Sequence, residues 1–329
     1  MIIKNAEDKK GQIEALQTLL AHPDADTSTR KRVEREILNI KAGARGEEEA
    51  AYEMKVHWGE SKNWMIIHDL RIEHSGLMAQ IDHLLINRFM EMWVCESKHF
   101  SEGIAINEYG EFSAFWGSKP YGIPSPIEQN NKHLLILKHF LDAGGIALPT
   151  RMGFTIKPTL KSLVLVSKGA RINRPKAKID GLDTIIKNDQ LFKTINKAID
   201  NNNNPLLIAK IIGQESLKDL GEKMAQSHQP IEFDWAAKFG LSSSWNPPLA
   251  TKASYVDPPE TKERIMLESD TPPQEKNISS STDETQKPKQ KLICHSCGVK
   301  VTYNVAKFCW VNKKRFGGNI YCRDCQKKV

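Results

Sequence analysis

The sequence predicts an α/β domain, in which helices flank one mixed sheet, followed by a small zinc-binding module. Three observations support this prediction. The periodicity changes along the chain from helix to a run of strands, then to helix, one apolar strand and further helices. The run LKSLVLVSKGA is apolar over the length of a buried central strand. Two Cys-x-x-Cys motifs near the C-terminus are typical of a zinc ribbon.

The elements follow in order along the 329 residues. Apolar residues recur at helical spacing through residues 1–57, and strand patterns begin at residue 63. IEQNNKHLLILKHFLDAGG, NDQLFKTINKAI and GQESLKDLGEKMAQ predict three further helices. A stretch rich in Pro, Ser, Thr and charged residues then predicts a flexible linker, although Trp235 and Trp245, which precede that stretch, could still pack on the domain. The expected divisions are an N-terminal helical segment at 1–41, the main domain at 42–228, the linker at 229–290 and the ribbon at 291–329.

Composition excludes several classes of protein. No apolar run approaches the 18 residues of a membrane-spanning helix, and the start, MIIKNAEDKK, lacks the apolar stretch of a secretory signal. Five of the six cysteines lie in the last 36 residues, which does not suit a disulfide framework. There is neither a Gly-rich phosphate loop nor a Gly-x-Ser-x-Gly elbow. We therefore expect a cytoplasmic protein that is not bound to a membrane.

The charge of the chain is uneven. The formal net charge is +7, yet residues 287–329 hold eleven Lys or Arg and one acidic residue. The remainder is therefore slightly acidic. A basic tail of this kind predicts attraction to a polyanion, for which nucleic acid is the first candidate. The alternative is that the tail only improves solubility.

The hairpin between Leu77 and Phe100 carries the most informative residues. If it folds about Phe89, facing residue numbers sum to 178, and Asp82 lies opposite Glu96, with Cβ atoms roughly 5 Å apart. Two close carboxylates on an apolar hairpin favour a raised pKa or a bound cation. Lys98 shares a strand face with Glu96. This set suits Mg²⁺- or Mn²⁺-assisted phosphodiester cleavage, although it could also be a solvated strand face. The ten histidines show no metal-ligand spacing, so none is expected at this site.

The C-terminal cysteines predict a tetrahedral Zn²⁺ site. Its four ligands would come from the two Cys-x-x-Cys motifs, which have 24 residues between them. Metal binding on the order of 10 kcal/mol would stabilise so short a module. Cys309 is expected to be a small buried residue, and His295 is not expected to be a ligand. The ribbon could bind nucleic acid through Lys313, Lys314 and Arg315 and nearby aromatic residues, or it could dock a protein. The expected ligands are Cys294, Cys297, Cys322 and Cys325.

Several motifs, taken in order, resemble those of nuclease-related (NERD) domains. They are GARGEEEAAYEM, QIDHLLIN, WVCESKHF and PSPIEQNNKHLLILKHFL. The resemblance extends roughly from Ala42 to Leu220, and NERD domains are similar to the PD-(D/E)xK restriction-endonuclease-like superfamily. It implies a restriction-endonuclease-like core with a mixed central sheet, and the terminal module resembles the zinc ribbon that some of these proteins carry.

The resemblance also implies a role for each matching residue. Glu47 corresponds to the helical acidic residue that assists metal binding or orients water, with Glu48 in its place if the register is off by one. Asp82 and Glu96 correspond to the metal-binding carboxylates and Lys98 to the catalytic lysine. Gln129 corresponds to the glutamine that orients the site. Ile81 stands where the superfamily often has proline, and no expected catalytic position is lost.

Together these observations predict a metal-dependent nuclease acting on DNA, which the zinc ribbon helps to bind. The alternative is a non-catalytic nucleic-acid-binding or scaffold protein that uses the same fold for recruitment. The sequence leaves the oligomeric state open.

Overall fold

The computed structural model describes residues 1–201, 210–231, 233–242, 293–301, 305–306, 309, 313–317 and 319–327. These residues belong to two compact units, one within Met1–Leu267 and the other within Glu268–Val329. The first unit is a mixed α/β domain, and the second contains the four-cysteine cluster. None of the helices in the described ranges is long and apolar enough to cross a membrane.

The first unit contains three sheets, and the largest of them is mixed, which confirms the predicted fold class. Its six strands lie in the order β1-β2-β3-β4-β10-β12, with parallel pairing at β1–β2, β4–β10 and β10–β12 and antiparallel pairing between. The strands are β1 (Ile2–Lys4), β2 (Trp64–His74), β3 (Leu77–Asn87), β4 (Glu91–Lys98), β5 (Gly103–Ile106), β6 (Phe112–Trp116), β7 (Lys119–Ile123), β8 (Thr150–Arg151), β9 (Phe154–Thr155), β10 (Thr159–Val166), β11 (Arg171–Asn173) and β12 (Ile185–Lys187).

Helices cover both faces of this sheet, because its strands are apolar on both sides. The residues on one face pack against α3 and α5, and those on the other face pack against α2 and α4. Strand β10 lies between β4 and β12, and its last four residues are buried, as expected for a central strand. The helices of this unit are α1 (Lys10–Leu19), α2 (Thr27–Trp58), α3 (Pro126–Asp142), α4 (Leu191–Asp200), α5 (Gln214–Gln226) and α6 (Trp235–Lys238).

The turn between β3 and β4 sets the register of the site. Asn87 is buried, and its side-chain oxygen accepts hydrogen bonds from the backbone N–H groups of Phe89 and Glu91. Met90, at φ +58, closes the turn by donating its N–H to the Asn87 carbonyl. The pairs that follow run from Ile86↔Met92 to His83↔Cys95, so facing numbers do sum to 178 as predicted.

Strands β3 and β4 part immediately beyond the His83↔Cys95 pair. From there β3 continues beside β2 as far as Leu77, whereas β4 continues beside β10 as far as Lys98. The same register would place Asp82 opposite Glu96, so these two residues stand at the fork between the diverging strands.

A second sheet, in the order β11-β5-β6-β7, extends the domain from the same end. Strand β5 begins five residues after Lys98, and β11 begins five residues after the end of β10. Its apolar side packs with Val164, Val166 and Ile127 in a separate core cluster. The chain therefore leads from both β4 and β10 directly into this sheet.

The N-terminus differs from the expectation of helix throughout residues 1–57. Residues Ile2–Lys4 form a strand at the edge of the main sheet, parallel to β2. Their anchor is the terminal ammonium of Met1, which donates to the carbonyls of Trp58, Ser61 and Trp64. Helix α2 also runs without a break across the predicted boundary between segments 1–41 and 42–228. Residues before 41 are thus structural parts of the domain.

The predicted linker at 229–290 begins too early. Trp235, Phe239 and Leu241 are buried and pack against α1 and the first turns of α2, because their apolar side chains complete a small core there. Trp235 therefore packs on the domain. The remainder of the predicted linker, from 243, lies outside the described residues.

Candidate metal-dependent active site

Asp82 lies at the fork between β3 and β4. Its carboxylate Oδ2 accepts a hydrogen bond of 2.7 Å from the backbone N–H of Ser97, on the opposite strand. Burial raises the pKa of Asp82 well above its usual value, and the negative charges of Glu96 and Glu47 raise it further. The fork therefore holds a carboxylate whose ionised form would be stabilised by a nearby cation.

Glu96 is almost fully buried between two basic side chains. Lys98 Nζ is 2.7 Å from Oε1, and His133 Nδ1 is 3.4 Å from Oε2. Burial alone would raise the pKa of Glu96, but His133 and Lys98 outweigh it and hold that pKa below its usual value. Oε2 is buried and has no hydrogen-bond partner among the described residues. An unsatisfied buried carboxylate oxygen is the kind of donor that Mg²⁺ takes.

Glu47 reaches the same region from helix α2. The helix can approach because Gly46 lies against His99, and a Cβ at Gly46 would be only 3.0 Å from the His99 Cβ. Burial raises the pKa of Glu47, and among the neighbouring charges Asp69 and Glu96 raise it too. Glu48 is exposed and lines a different cleft. The structure thus brings Glu47, rather than Glu48, near the fork.

Gln129 and His133 lie one turn apart on α3. The Gln129 side chain makes no hydrogen bond to any residue in the described ranges, so no hydrogen bond links this glutamine to the fork. His133 makes the contact to Glu96 instead. Sequence reasoning missed His133. Its spacing of four residues from Gln129, which places the two on one helix face, was the available signal.

A second charged group borders the fork and was also missed. Asp69, on β2, is buried with φ +50, an uncommon conformation for a residue other than glycine. Lys9 Nζ is 2.9 Å from its Oδ2, Gln80 donates to its Oδ1, and Lys4 donates to its carbonyl. Asp69 raises the pKa of Glu47, and Lys9 lowers it. A charged residue inside the apolar strand WMIIHDLRI was a signal for Asp69, whereas Lys9 had none.

In both β2 and β3, the alternation of inward and outward side chains shifts by one residue near the fork. Ile67 and Leu70 of β2 enter the same core, as do Ile81 and Leu84 of β3, although each pair is three residues apart rather than two. The residues within these gaps are His68, Asp69, Asp82 and His83. Because of this shift, these four polar residues interrupt strands that are otherwise apolar.

The two histidines form a buried chain of hydrogen bonds. His68 Nδ1 is 2.7 Å from His83 Nδ1, and His83 Nε2 is 2.9 Å from Ser97 Oγ. Burial lowers the pKa of His68 to about 4 and holds the pKa of His83 well below its usual value. Both rings are therefore neutral at pH 7, with one Nδ1 donating and the other accepting. They support Ser97, whose N–H binds Asp82.

The carboxylates at the fork influence one another without a tight three-ligand cluster. Within the described part of the chain, only the four cysteines bring three or more possible ligand atoms within 4.8 Å of one another. Glu47, Asp82 and Glu96 do not reach that criterion, and the Lys98 ammonium occupies one oxygen of Glu96. A cation bound between Asp82 and Glu96 would have to share or replace that ammonium.

The second unit contains the predicted cysteine quartet. The Sγ atoms of Cys294, Cys297, Cys322 and Cys325 all lie within 4.8 Å of one another, and all four are free thiols. Although burial opposes it, backbone N–H donors lower the pKa of Cys294 to about 6. Four thiolates at this spacing fit tetrahedral Zn²⁺. His295 is outside this group of four.

Cys309 and Arg315 have different surroundings in this unit. Cys309 is fully buried and accepts hydrogen bonds through Sγ from the Tyr321 N–H and the Gln326 side chain, so it packs beside the cluster. Arg315, on the short helix α7 (Lys313–Phe316), is exposed. The side chains of Lys313 and Lys314 lie outside the described part of the structure.

Comparison with known families agrees with this architecture. Residues 42–166 match the family model described as the nuclease-related domain. That range includes Glu47, the fork and Gln129. A search of curated proteins and of solved structures finds no match to the chain. Residues 42–166 of the chain therefore match a nuclease-related (NERD) domain, and the same chain contains a zinc-ribbon-like cysteine cluster.

Proposed function

We propose that this protein is a metal-dependent nuclease that hydrolyses phosphodiester bonds in DNA. The observation that carries the proposal is the buried Glu96 carboxylate, with one oxygen on Lys98 and the other without a hydrogen bond, beside the high-pKa carboxylate of Asp82. Burying such a pair is unfavourable unless a cation offsets it. The match to the nuclease-related domain supports the reaction class.

Each side chain has a chemical task in the proposed reaction. Asp82 and Glu96 would hold Mg²⁺ or Mn²⁺, which when bound supplies Lewis-acid polarisation of the phosphate and of a water. Lys98 is about one-third exposed, so its ammonium can turn from Glu96 to orient the attacking water or offset charge on the phosphorane-like transition state. Glu47, on the helix that faces the fork, would accept a hydrogen bond from that water.

The proposed role of the second unit is to raise the local concentration of substrate. Its cysteines would hold Zn²⁺, and Lys313, Lys314 and Arg315 would contact the phosphate backbone. Because both units belong to one chain, binding by either raises the effective concentration for the other.

A non-catalytic nucleic-acid-binding or scaffold protein is the rival proposal. One observation favours it: the carboxylate oxygens of Glu47, Asp82 and Glu96 do not all lie within 4.8 Å of one another. Such a protein would need no divalent cation at the fork, so a single experiment separates the two.

The decisive experiment is a cleavage assay of the full chain on labelled single- and double-stranded DNA and RNA, with Mg²⁺, with Mn²⁺ and with neither. Asp82→Ala and Glu96→Ala are expected to reduce cleavage by about 1000-fold or more while leaving the circular dichroism spectrum unchanged. Glu47→Gln should reduce it, whereas Glu48→Gln, the matched control one residue along the helix, should not. Undiminished metal-dependent cleavage by both alanine variants would rule out the proposal.

A further inference from the structure

We propose that the segment Lys168–Lys178 is a nucleic-acid backbone-binding surface of the main domain, adjacent to the active-site fork. This inference rests on the proposed function, since it assumes a nucleic-acid substrate. The segment has five cationic residues and no acidic one, in a part of the chain whose overall charge is slightly negative. All five cations are exposed: Lys168, Arg171, Arg174, Lys176 and Lys178.

None of these five cations has an acidic partner in the described part of the chain. Among the described residues, no carboxylate lies within 4.0 Å of any of them. Some exposed lysines elsewhere do have such partners, for example Lys138 with Asp142 and Lys223 with Asp219. An unpaired cation keeps its full field for a phosphate, whereas a paired one must first give up its carboxylate.

The position of the segment relates it to the fork. Val166, the last residue of β10, pairs with Lys98, and Ser167 then donates its N–H to the Lys98 carbonyl. The Ser167 hydroxyl is also 3.0 Å from His99 Nδ1. With a strand rise of roughly 3.3 Å per residue, Lys168 begins about two residue lengths from the level of Lys98.

Strand β11 continues the segment along the second sheet. Arg171 pairs with Gly103, where φ is +134 and a Cβ would collide with the Arg171 carbonyl. Ile172 is half-buried and packs into the core of this sheet, whereas Arg171 and Asn173 on either side of it are exposed. The alternation presents Arg171 outward. A polyanion following the segment would approach the end of β4, where Lys98 lies, beside a cleft that Lys168 lines together with Arg45, Glu48 and Glu49.

Salt-dependent binding tests this surface directly. Full-length wild type would be compared with R171Q/K176Q/K178Q by fluorescence anisotropy on a mixed-sequence DNA duplex, without added divalent cation, over a series of NaCl concentrations. Each lost phosphate contact lowers the log–log salt slope by about 0.9, so the triple variant should bind more weakly with a slope shallower by roughly 2 to 3. The control K138Q/K218Q/K223Q changes net charge equally and should keep the wild-type slope.

A second variant controls for the possibility that the triple variant fails to fold. K176Q/K178Q leaves strand β11 intact, and its slope should be shallower by roughly 1 to 2 with an unchanged melting temperature. A wild-type slope in both variants, or an equal change in the control, would overturn the proposal. Because binding is measured without metal, a chain that binds through this surface but never cleaves would contradict only the proposed function. A chain that cleaves with an unaltered slope would contradict only this inference.

Discussion

The carboxylate of Asp82 accepts a 2.7 Å hydrogen bond from the backbone N–H of Ser97, across the gap where β3 and β4 separate. This bond favours the ionised form of Asp82, while burial and the charges of Glu96 and Glu47 oppose it and keep the pKa raised. The protein thus holds the carboxylate in one orientation but leaves its charge uncompensated. A bound cation would remove that electrostatic cost.

Replacing Asp82 by Asn should stabilise the metal-free protein. Its raised pKa means that the unfolded chain, above pH 3.8, binds fewer protons at this residue, so stability falls as pH rises through the folded-state pKa. Asp82→Asn removes this loss, and we expect a gain on the order of 1 kcal/mol at pH 7. Urea unfolding without divalent cations measures it. A destabilised variant would contradict the uncompensated charge, and Mn²⁺ should stabilise only the wild type.

Lys98→Met should separate catalysis from metal binding. The methionine removes the ammonium that lies 2.7 Å from Glu96 Oε1, so Mn²⁺ affinity should stay equal or rise, since one competitor for the carboxylate is gone. Cleavage should nonetheless fall by about 100-fold or more, because charge on the reacting phosphate is no longer offset. Calorimetry and single-turnover kinetics give the two quantities. Loss of Mn²⁺ binding would mean that Lys98 is needed to build the site.

His133→Ala should weaken metal binding although His133 is not a proposed ligand. The ring contacts Glu96 Oε2 at 3.4 Å and orients the carboxylate, and losing such support typically costs 10- to 100-fold in metal affinity. Gln129→Ala is the matched comparison on the same helix face, and a smaller effect is expected from it because no hydrogen bond joins Gln129 to Glu96. A larger loss from Gln129→Ala would reverse the two assignments.

The buried histidine pair should make the domain sensitive to acid. Burial, and then the charge of Lys4, lower the pKa of His68 to about 4, so the unfolded chain binds more protons than the folded one below pH 6.5. Stability should therefore fall as pH drops from 6.5 to about 4, by about 3 kcal/mol for this residue. Proton NMR of the His68 ring should show a neutral imidazole at pH 5. A cationic ring at that pH would exclude the predicted shift.

The cysteine cluster should bind one zinc ion per chain. Cys322→Ser removes one of the four clustered thiols and is expected to release the metal, whereas Cys309→Ala, outside the cluster, should retain it. Elemental analysis of the purified variants provides the measurement. Zinc retained in Cys322→Ser at the wild-type amount would argue against tetrahedral coordination by these four residues.

Local patterns predicted those features that depend on neighbours in sequence. The register of the β3–β4 hairpin followed from the short turn at Asn87, because a short connection leaves the facing strands little freedom to slide. The continuous apolar run predicted the burial of β10, and the Cys-x-x-Cys spacing predicted the cluster at Cys294.

Long-range packing decided the rest of the fork. No local pattern predicts that Ile2–Lys4 becomes an edge strand or that Lys9 pairs with Asp69. Nor does any local pattern predict the contact of His133 with Glu96. These contacts join segments about 40 to 60 residues apart, and their free energy comes from charges brought together only when helices and strands have packed. The sequence alone therefore determined which residues could carry the chemistry. The tertiary structure decided which of them meet, because β3 and β4 must diverge before polar side chains from three elements can share one opening.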